Sequence, residues 1–443
     1  MLPTQSPEGV GHLNAVASFG WDVHVVPVGP VDLPRGLDPA VVVHRLPAQL
    51  GGIPYTHGRL RGTIARADRA AFRVSCMAAH QLRTVGGPDL DLPSRWKLVS
   101  HELSDRDGVG APSVEALGTV PVPDVLDALG RHDRHHAVMM VPWLAGLIHQ
   151  LAPDLVHSGP LVATAPIMYA VRARDPGIRS RWLVSDWGTD LSFWARDAIK
   201  SRAINAILGV ADHLFLECLR DEPLARAAGF RGGIVGGVPF GAGVDVAASR
   251  RSMASGPTSS RRVVLLDGRM DATRRPFAAF EAVRRCRDVL DGYELVIHGA
   301  DESVSLIAKV LGADLGLRTT IREVPRTWRA HADPDHGRAR VSISLRVADG
   351  IPTWAREASL MGSLPIHAGA GCDDEGRPAE RGIAVADADD PGPVAAALRR
   401  ALTDDGHVDE KLDPDVLTRV DRSRLIPELR TLYEAVLGAG VIA

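Results

Sequence analysis

Short β-branched runs alternate with longer amphipathic stretches, and this alternation constrains the fold more than any other feature of the chain. In the first half Val23–Val28, Leu155–Val156, Trp182–Ser185, His213–Glu217 and Gly233–Val235 predict buried strands. Val263–Asp267, Glu294–His298, Thr319–Glu323, Arg340–Leu345 and Leu364–His367 repeat the theme, with helical stretches such as Pro276–Arg287 and Trp354–Met361 between them. Nearly continuous apolar runs suit strands covered on both faces. Their alternation with helices implies βαβ crossovers and hence parallel sheets, an α/β fold.

The series breaks once, at Ala247–Arg262 (AASRRSMASGPTSSRR), which is rich in Ser, Arg, Gly and Pro and lacks periodicity. A length of 443 residues allows two or three domains. The expected division is residues 1–246 and 263–423 as two Rossmann-like domains, a linker at 247–262, and a terminal helix within 424–443 that packs near the domain junction. No convincing strand precedes Ser6, and residues 51–145, rich in Gly, Pro, His and Asp, carry no clear pattern.

Charge excludes several functions. The formal net charge is −3 and no block of like charges occurs, which argues against a dominant nucleic-acid or anionic-membrane surface. Only four lysines are present, so arginine must hold any phosphate. Cys76, Cys218, Cys286 and Cys372 form no Cys-x-x-Cys pair, which argues against structural zinc or a disulfide framework and fits a reducing, cytoplasmic setting. No run approaches the ~18 apolar residues of a spanning helix. The His132, His135 and His136 cluster lacks companion ligands and reads as a solvated face, so no metal site is expected. Neither Gly-x-Gly-x-x-Gly after a strand nor Gly-x4-Gly-Lys-Ser/Thr occurs, which disfavours nicotinamide and P-loop chemistry.

The strongest chemical signal is Arg340–Gly369. A strand enters the loop Val347–Ile351, Pro352 opens a helix, Gly362 ends it, and Leu364–His367 forms the next strand. Asp349 lies in the loop and Glu357 eight positions later on the helix. A helix N-terminus presents unbonded N–H groups and a positive dipole end, so Gly350, Ile351 and Pro352 suit a diphosphate.

Asp349-x7-Glu357 followed by Met361-Gly362-Ser363-Leu364-Pro365-Ile366 resembles the signature of the retaining GT-B-fold glycosyltransferases of group 1, or glycosyltransferase family 4. The block Val263–Pro276, with Asp267-Gly268-Arg269 and Arg274, is similar to that family's strand, Gly-Arg turn and basic residue. Leu151–Gly159, with His157, and Ser185–Asp190 resemble its first-domain loops, with Trp187 where many relatives carry His.

The resemblance implies two Rossmann-like domains facing across a cleft, and sugar transfer from a nucleotide-diphosphate-sugar to an acceptor hydroxyl with retention. It implies that Arg269 and Arg274 grip the diphosphate beside Gly268 and that Glu357 holds the ribose. Asp349 would lie near the donor sugar, and His157 and Asp190 would serve the acceptor side. Arginines and a helix terminus neutralise the leaving group, so neither metal nor cofactor is expected. The same fold would also accommodate a nucleotide-sugar epimerase or hydrolase. A degenerate, non-catalytic partner subunit is the remaining alternative, motivated by Trp187 and Asp349.

Overall fold

The computed structural model describes residues 7–27, 36–44, 120–129, 131–239, 241–251, 253–322, 333–348, 353–368, 382–409 and 414–438. Two separate parallel sheets organise the described residues, together with a short two-stranded ladder of β1 (His24–Val25) and β2 (Val42–Val43).

The first sheet runs β3 (Leu155–Ser158), β4 (Arg181–Asp186), β5 (His213–Leu216) and β6 (Gly233–Gly236), in that order. Helices Ala165–Arg174, Ala198–Leu208 and Glu222–Ala227 make the crossovers. Trp182, Val184 and Leu214 are buried in one cluster and Leu183 and Phe215 in another, which is why these strands are apolar on both faces. Asp197 caps the second crossover helix by accepting from Ile199 N and Lys200 N.

The second sheet contains β7 (Val263–Asp267), β8 (Glu294–His298), β9 (Arg318–Arg322), β10 (Val341–Ser344), β11 (Leu364–Ala368) and β12 (Ile383–Val385). Its spatial order is β12-β11-β10-β7-β8-β9 and every pairing is parallel. This is the doubly wound order, with the first strand of the series at the centre and the chain winding outward first to one side and then to the other.

The ten strands read from sequence all appear, with Val23–Val28 reduced to two residues. β2 and β12 were not expected; each is only two or three residues long and half exposed, so neither leaves a clear apolar run. The helix Arg131–Leu151 lies partly inside the stretch without clear pattern. The side chains of His132, His135 and His136 lie outside the described residues, as does any strand before Ser6.

The Ala247–Arg262 segment is more ordered than its composition suggests. It overlaps the helix Val246–Arg251 and includes a short turn of helix at Thr258–Ser260. Arg261 donates to the carbonyls of Ala339 and Met361, and Thr258 to that of Gly362, so its end is fastened to the second sheet's frame. Cys286 is a free buried thiol.

The final helix, Arg422–Gly438, packs on the first half of the chain. Its Leu425, Leu429, Tyr433 and Val436 share one cluster with Ala15, Phe19, Leu183, Phe215 and Val238. Arg422 donates to the carbonyls of Gly241 and Gly11, and Arg181 caps the far end by donating to those of Val436 and Leu437.

Candidate active site

β7 and β10 lie side by side at the centre of the second sheet, yet their following connections run to opposite sides. Such a reversal opens a crevice at the C-terminal strand ends, where ligands bind in open α/β sheets. Asp267 closes β7 there, followed by Gly268 and Arg269. Gly268 N donates to His298 O at 2.8 Å, and this close approach leaves no room for a side chain. A Cβ at position 268 would sit 2.4 Å from Ile297 Cγ2 and 3.1 Å from Ala300 Cβ. Gly268→Ala will therefore destabilise the protein by about 1–3 kcal/mol, the usual cost of overpacking. Urea denaturation checks it, and an unchanged midpoint would show that the turn yields freely.

Asp267 is the hub of the crevice and is 5% exposed. Its carboxylate accepts from Arg269 Nε at 2.7 Å and Arg269 NH2 at 2.8 Å, and from Ser344 Oγ at 3.1 Å. Arg274 Nε stands 3.6 Å away, and Arg274 also pairs with Asp271. Burial works to raise the Asp267 pKa, but Arg269 and Arg274 overcome it and hold the carboxyl below its ordinary value. The Arg274 pKa is lowered, first by burial and then by the like charges of Arg269 and Arg346. The two arginines read from sequence are thus brought together, on an aspartate to which the sequence reading gave no role.

Glu357 lies on the helix Thr353–Leu360 as expected. Its Oε2 accepts from Asp333 N at 3.2 Å and is 3.9 Å from His336 Nε2. His336 is buried, with Nδ1 2.9 Å from Ser342 Oγ, and Ser342 in turn meets Ser363 at 2.8 Å. Burial, reinforced by the charge of His298, lowers the His336 pKa to about 3, so the ring is neutral. Asp267 and Arg269 also act electrostatically on His336. Trp354 meets His336 and His298 edge-on, at 4.6 Å and 5.8 Å between ring centroids. Asp349, Gly350, Ile351 and Pro352 lie outside the described residues.

His298, Asp333 and Asp335 present potential ligand atoms within 4.8 Å of one another. Asp335 already accepts from His298 Nε2 at 2.9 Å and pairs with Arg322 and Arg338 at 3.3 Å and 3.1 Å. Those cations neutralise the charge a metal would seek.

In the first half, His157 stands next to the end of β3 with both ring nitrogens engaged: Nδ1 lies 2.6 Å from the Tyr433 hydroxyl, and Nε2 contacts Ser185 Oγ. The Tyr433 hydroxyl also meets His12 Nε2 at 2.7 Å. Burial, assisted by Arg422, lowers the His12 pKa to about 3, and burial with His12 lowers that of His157 well below its ordinary value. Tyr433 therefore joins two neutral imidazoles, donating to one and accepting from the other. Only the final helix brings this partner, 276 residues away in sequence, to His157.

Asp190 is 1% exposed and accepts from Leu161 N at 3.1 Å and Trp187 N at 3.4 Å, fastening the loops after β3 and β4 together. Burial pushes its carboxyl up to about 6 against those hydrogen bonds. Asp186 accepts from the amides of Asp190 and Leu191, and its carboxyl meets that of Asp221. Burial, followed by the charges of Asp190 and Asp221, raises the Asp186 pKa well above the ordinary carboxylate range. A raised folded-state pKa gives stability that is fully present below the unfolded pKa and is lost as pH rises through the folded value. Asp186→Asn keeps the shape without the titration, so its melting temperature relative to the parent protein will climb between pH 5 and pH 8. A constant difference across that range would show that Asp186 is not protonated in the folded state.

No protein-family model and no curated protein matches the chain. Solved structures do. Sucrose-phosphate synthase from Thermosynechococcus elongatus is 15% identical, covers 97% of this chain and 92% of its own, and superposes with a TM-score of 0.59. The UDP-forming α,α-trehalose-phosphate synthase from Burkholderia vietnamiensis is 14% identical over 72% of this chain and 81% of its own, with a TM-score of 0.52. Anabaena HepE in complex with UDP and glucose is 13% identical over 66% and 81%, with a TM-score of 0.50. Two parallel Rossmann-like sheets, the doubly wound order of the second and these likenesses establish the α/β GT-B fold for this chain.

Proposed function

We propose that this protein is a retaining glycosyltransferase of the family 4 type, moving a sugar from a nucleotide-diphosphate-sugar to an acceptor hydroxyl. The observation that carries the reading is Asp267 at the switch point, holding Arg269 and Arg274 where the sheet opens. Guanidinium groups there meet phosphate oxygens with directed N–H donors and neutralise the charge that grows on the leaving diphosphate. Glu357, on the adjoining helix, accepts from the ribose hydroxyls. The resemblance assigns Asp349 to the donor sugar and Gly350, Ile351 and Pro352 to the phosphates; all four lie outside the described residues. The first-half loops with His157 and Asp190 bound the acceptor side. Both residues position the loops: Asp190 through backbone amides and His157 through Ser185 and Tyr433.

Such a reaction needs positioned cations more than a protein nucleophile, and neither metal nor cofactor enters the reading. Among the described residues no helix is long and apolar enough to cross a membrane, and the reading places the enzyme in the cytoplasm. The structure of HepE with UDP and glucose makes UDP-sugars the first donors to test.

A thermal-shift screen of nucleotide-sugars provides the test. A ligand bound only by the native state adds about 2.7 kcal/mol at a hundred times its dissociation constant. The donor that raises the melting temperature will then be consumed only when an acceptor is supplied, and proton NMR of the product will show the anomeric configuration retained. Failure of every nucleotide-sugar and nucleoside diphosphate to stabilise the protein would refute the reading. Turnover of donor without an acceptor would replace transfer by epimerisation or hydrolysis.

A further inference from the structure

We propose that Arg346 is a third cation of the diphosphate site, so that the donor's phosphates are held from both walls of the switch-point crevice. The proposal rests on the nucleotide-sugar reading and adds to it a residue of the Arg340–Gly369 block to which the sequence signature gives no role.

The geometry begins with the sheet. β7 and β10 pair through Val264 with Val341, Leu265 with Ser342, and Leu266 with Ile343. Arg269 leaves the crevice wall made by β7, and Arg346 leaves the wall made by β10, two residues after Ser344. The loop 271–275 folds back between them. Arg275 N donates to Leu345 O at 3.0 Å and Val347 N donates to Thr273 O at 2.8 Å, enclosing an antiparallel bridge between Arg274 and Arg346. Residues directly opposite in such a bridge project to the same side, with Cβ atoms about 4.5–5.5 Å apart. Two guanidinium-bearing residues are thereby set side by side by backbone hydrogen bonds.

Charge makes this placement informative. Arg269, Arg274 and Arg346 gather around two carboxylates, Asp267 and Asp271, and the Arg346 charge reaches both Arg274 and Asp271. Like charges so close repel, and the cluster is relieved by an anion entering the crevice between them. A diphosphate is the anion that spans two walls, and the free nucleoside diphosphate carries more negative charge than the sugar ester. Arg346 therefore favours the leaving group over the intact donor.

Calorimetric titration with UDP and with uridine, at two salt concentrations, tests the proposal on the full chain and on the variants Arg346→Met, Arg346→Lys and Arg269→Ala. Loss of one charge-assisted contact predicts about tenfold weaker UDP binding to Arg346→Met. Uridine affinity will be unchanged, the salt dependence of UDP binding shallower, and affinity partly restored in Arg346→Lys. The Lys variant keeps the charge and also serves as the test if the Met variant does not fold, because the loss of the planar guanidinium will still lower UDP affinity without lowering that of uridine. UDP affinity at the parent value in Arg346→Met and Arg346→Lys, with a clear loss in Arg269→Ala, would overturn the role of Arg346 and leave the nucleotide reading standing. Absence of binding by UDP, ADP, GDP and dTDP to the parent protein would overturn both.

Discussion

Replacing Arg269 and Arg274 together by alanine will lower turnover by about 10²–10³, the usual effect of removing donors aimed at charge that develops in the transition state. Both guanidiniums converge on Asp267, one through two hydrogen bonds of 2.7 Å and 2.8 Å and the other at 3.6 Å. The loss should fall mainly on kcat, with the acceptor KM little changed, because the interaction strengthens only as the sugar–phosphate bond breaks. The double variant also leaves the buried Asp267 without its cations, and an uncompensated buried charge is destabilising. Asp267→Asn in the same background removes that charge, separating lost stability from lost catalysis. Initial-rate kinetics decide the matter: a collapse of acceptor binding with normal donor-side parameters would mean that the arginines serve the acceptor.

Glu357→Ala will weaken donor binding about 10–100-fold, corresponding to ~1.5–3 kcal/mol for hydrogen bonds to a charged acceptor. This carboxylate accepts from Asp333 N and lies near His336, both on the segment just before β10. Glu357→Gln keeps the side-chain shape without the charge and should fall between the parent protein and the alanine variant. Titration with the donor identified by thermal shift will show this order, and equal affinities in all three proteins would remove Glu357 from the site.

The helix carrying Glu357 and the turn carrying Arg269 were legible because their signals are local. Val263–Asp267 is buried at every position, so its composition alone marks a central strand, and Gly268 follows because the chain passes too close to Ile297 for a side chain. Arg346 and His336 had no comparable signal. An arginine after a strand and a histidine in a five-residue helix look ordinary until neighbouring elements surround them. β12 was missed for the opposite reason, since a three-residue edge strand buries too little to impose a pattern.

Sequence by itself determined the α/β class, the strand–helix alternation and the arginine and carboxylate blocks, because burial and helix geometry act over a few residues. Tertiary structure alone decided which charges meet. Asp267 becomes a hub because β7 and β10 are neighbours, although their first pairing positions, Val264 and Val341, are 77 positions apart in sequence. His157 gains Tyr433 because the final helix crosses back onto the first half of the chain, and Asp186 meets Asp221 because β4 and β5 lie side by side. Electrostatic contacts depend on distance in space and on local burial, and neither is encoded by separation along the chain.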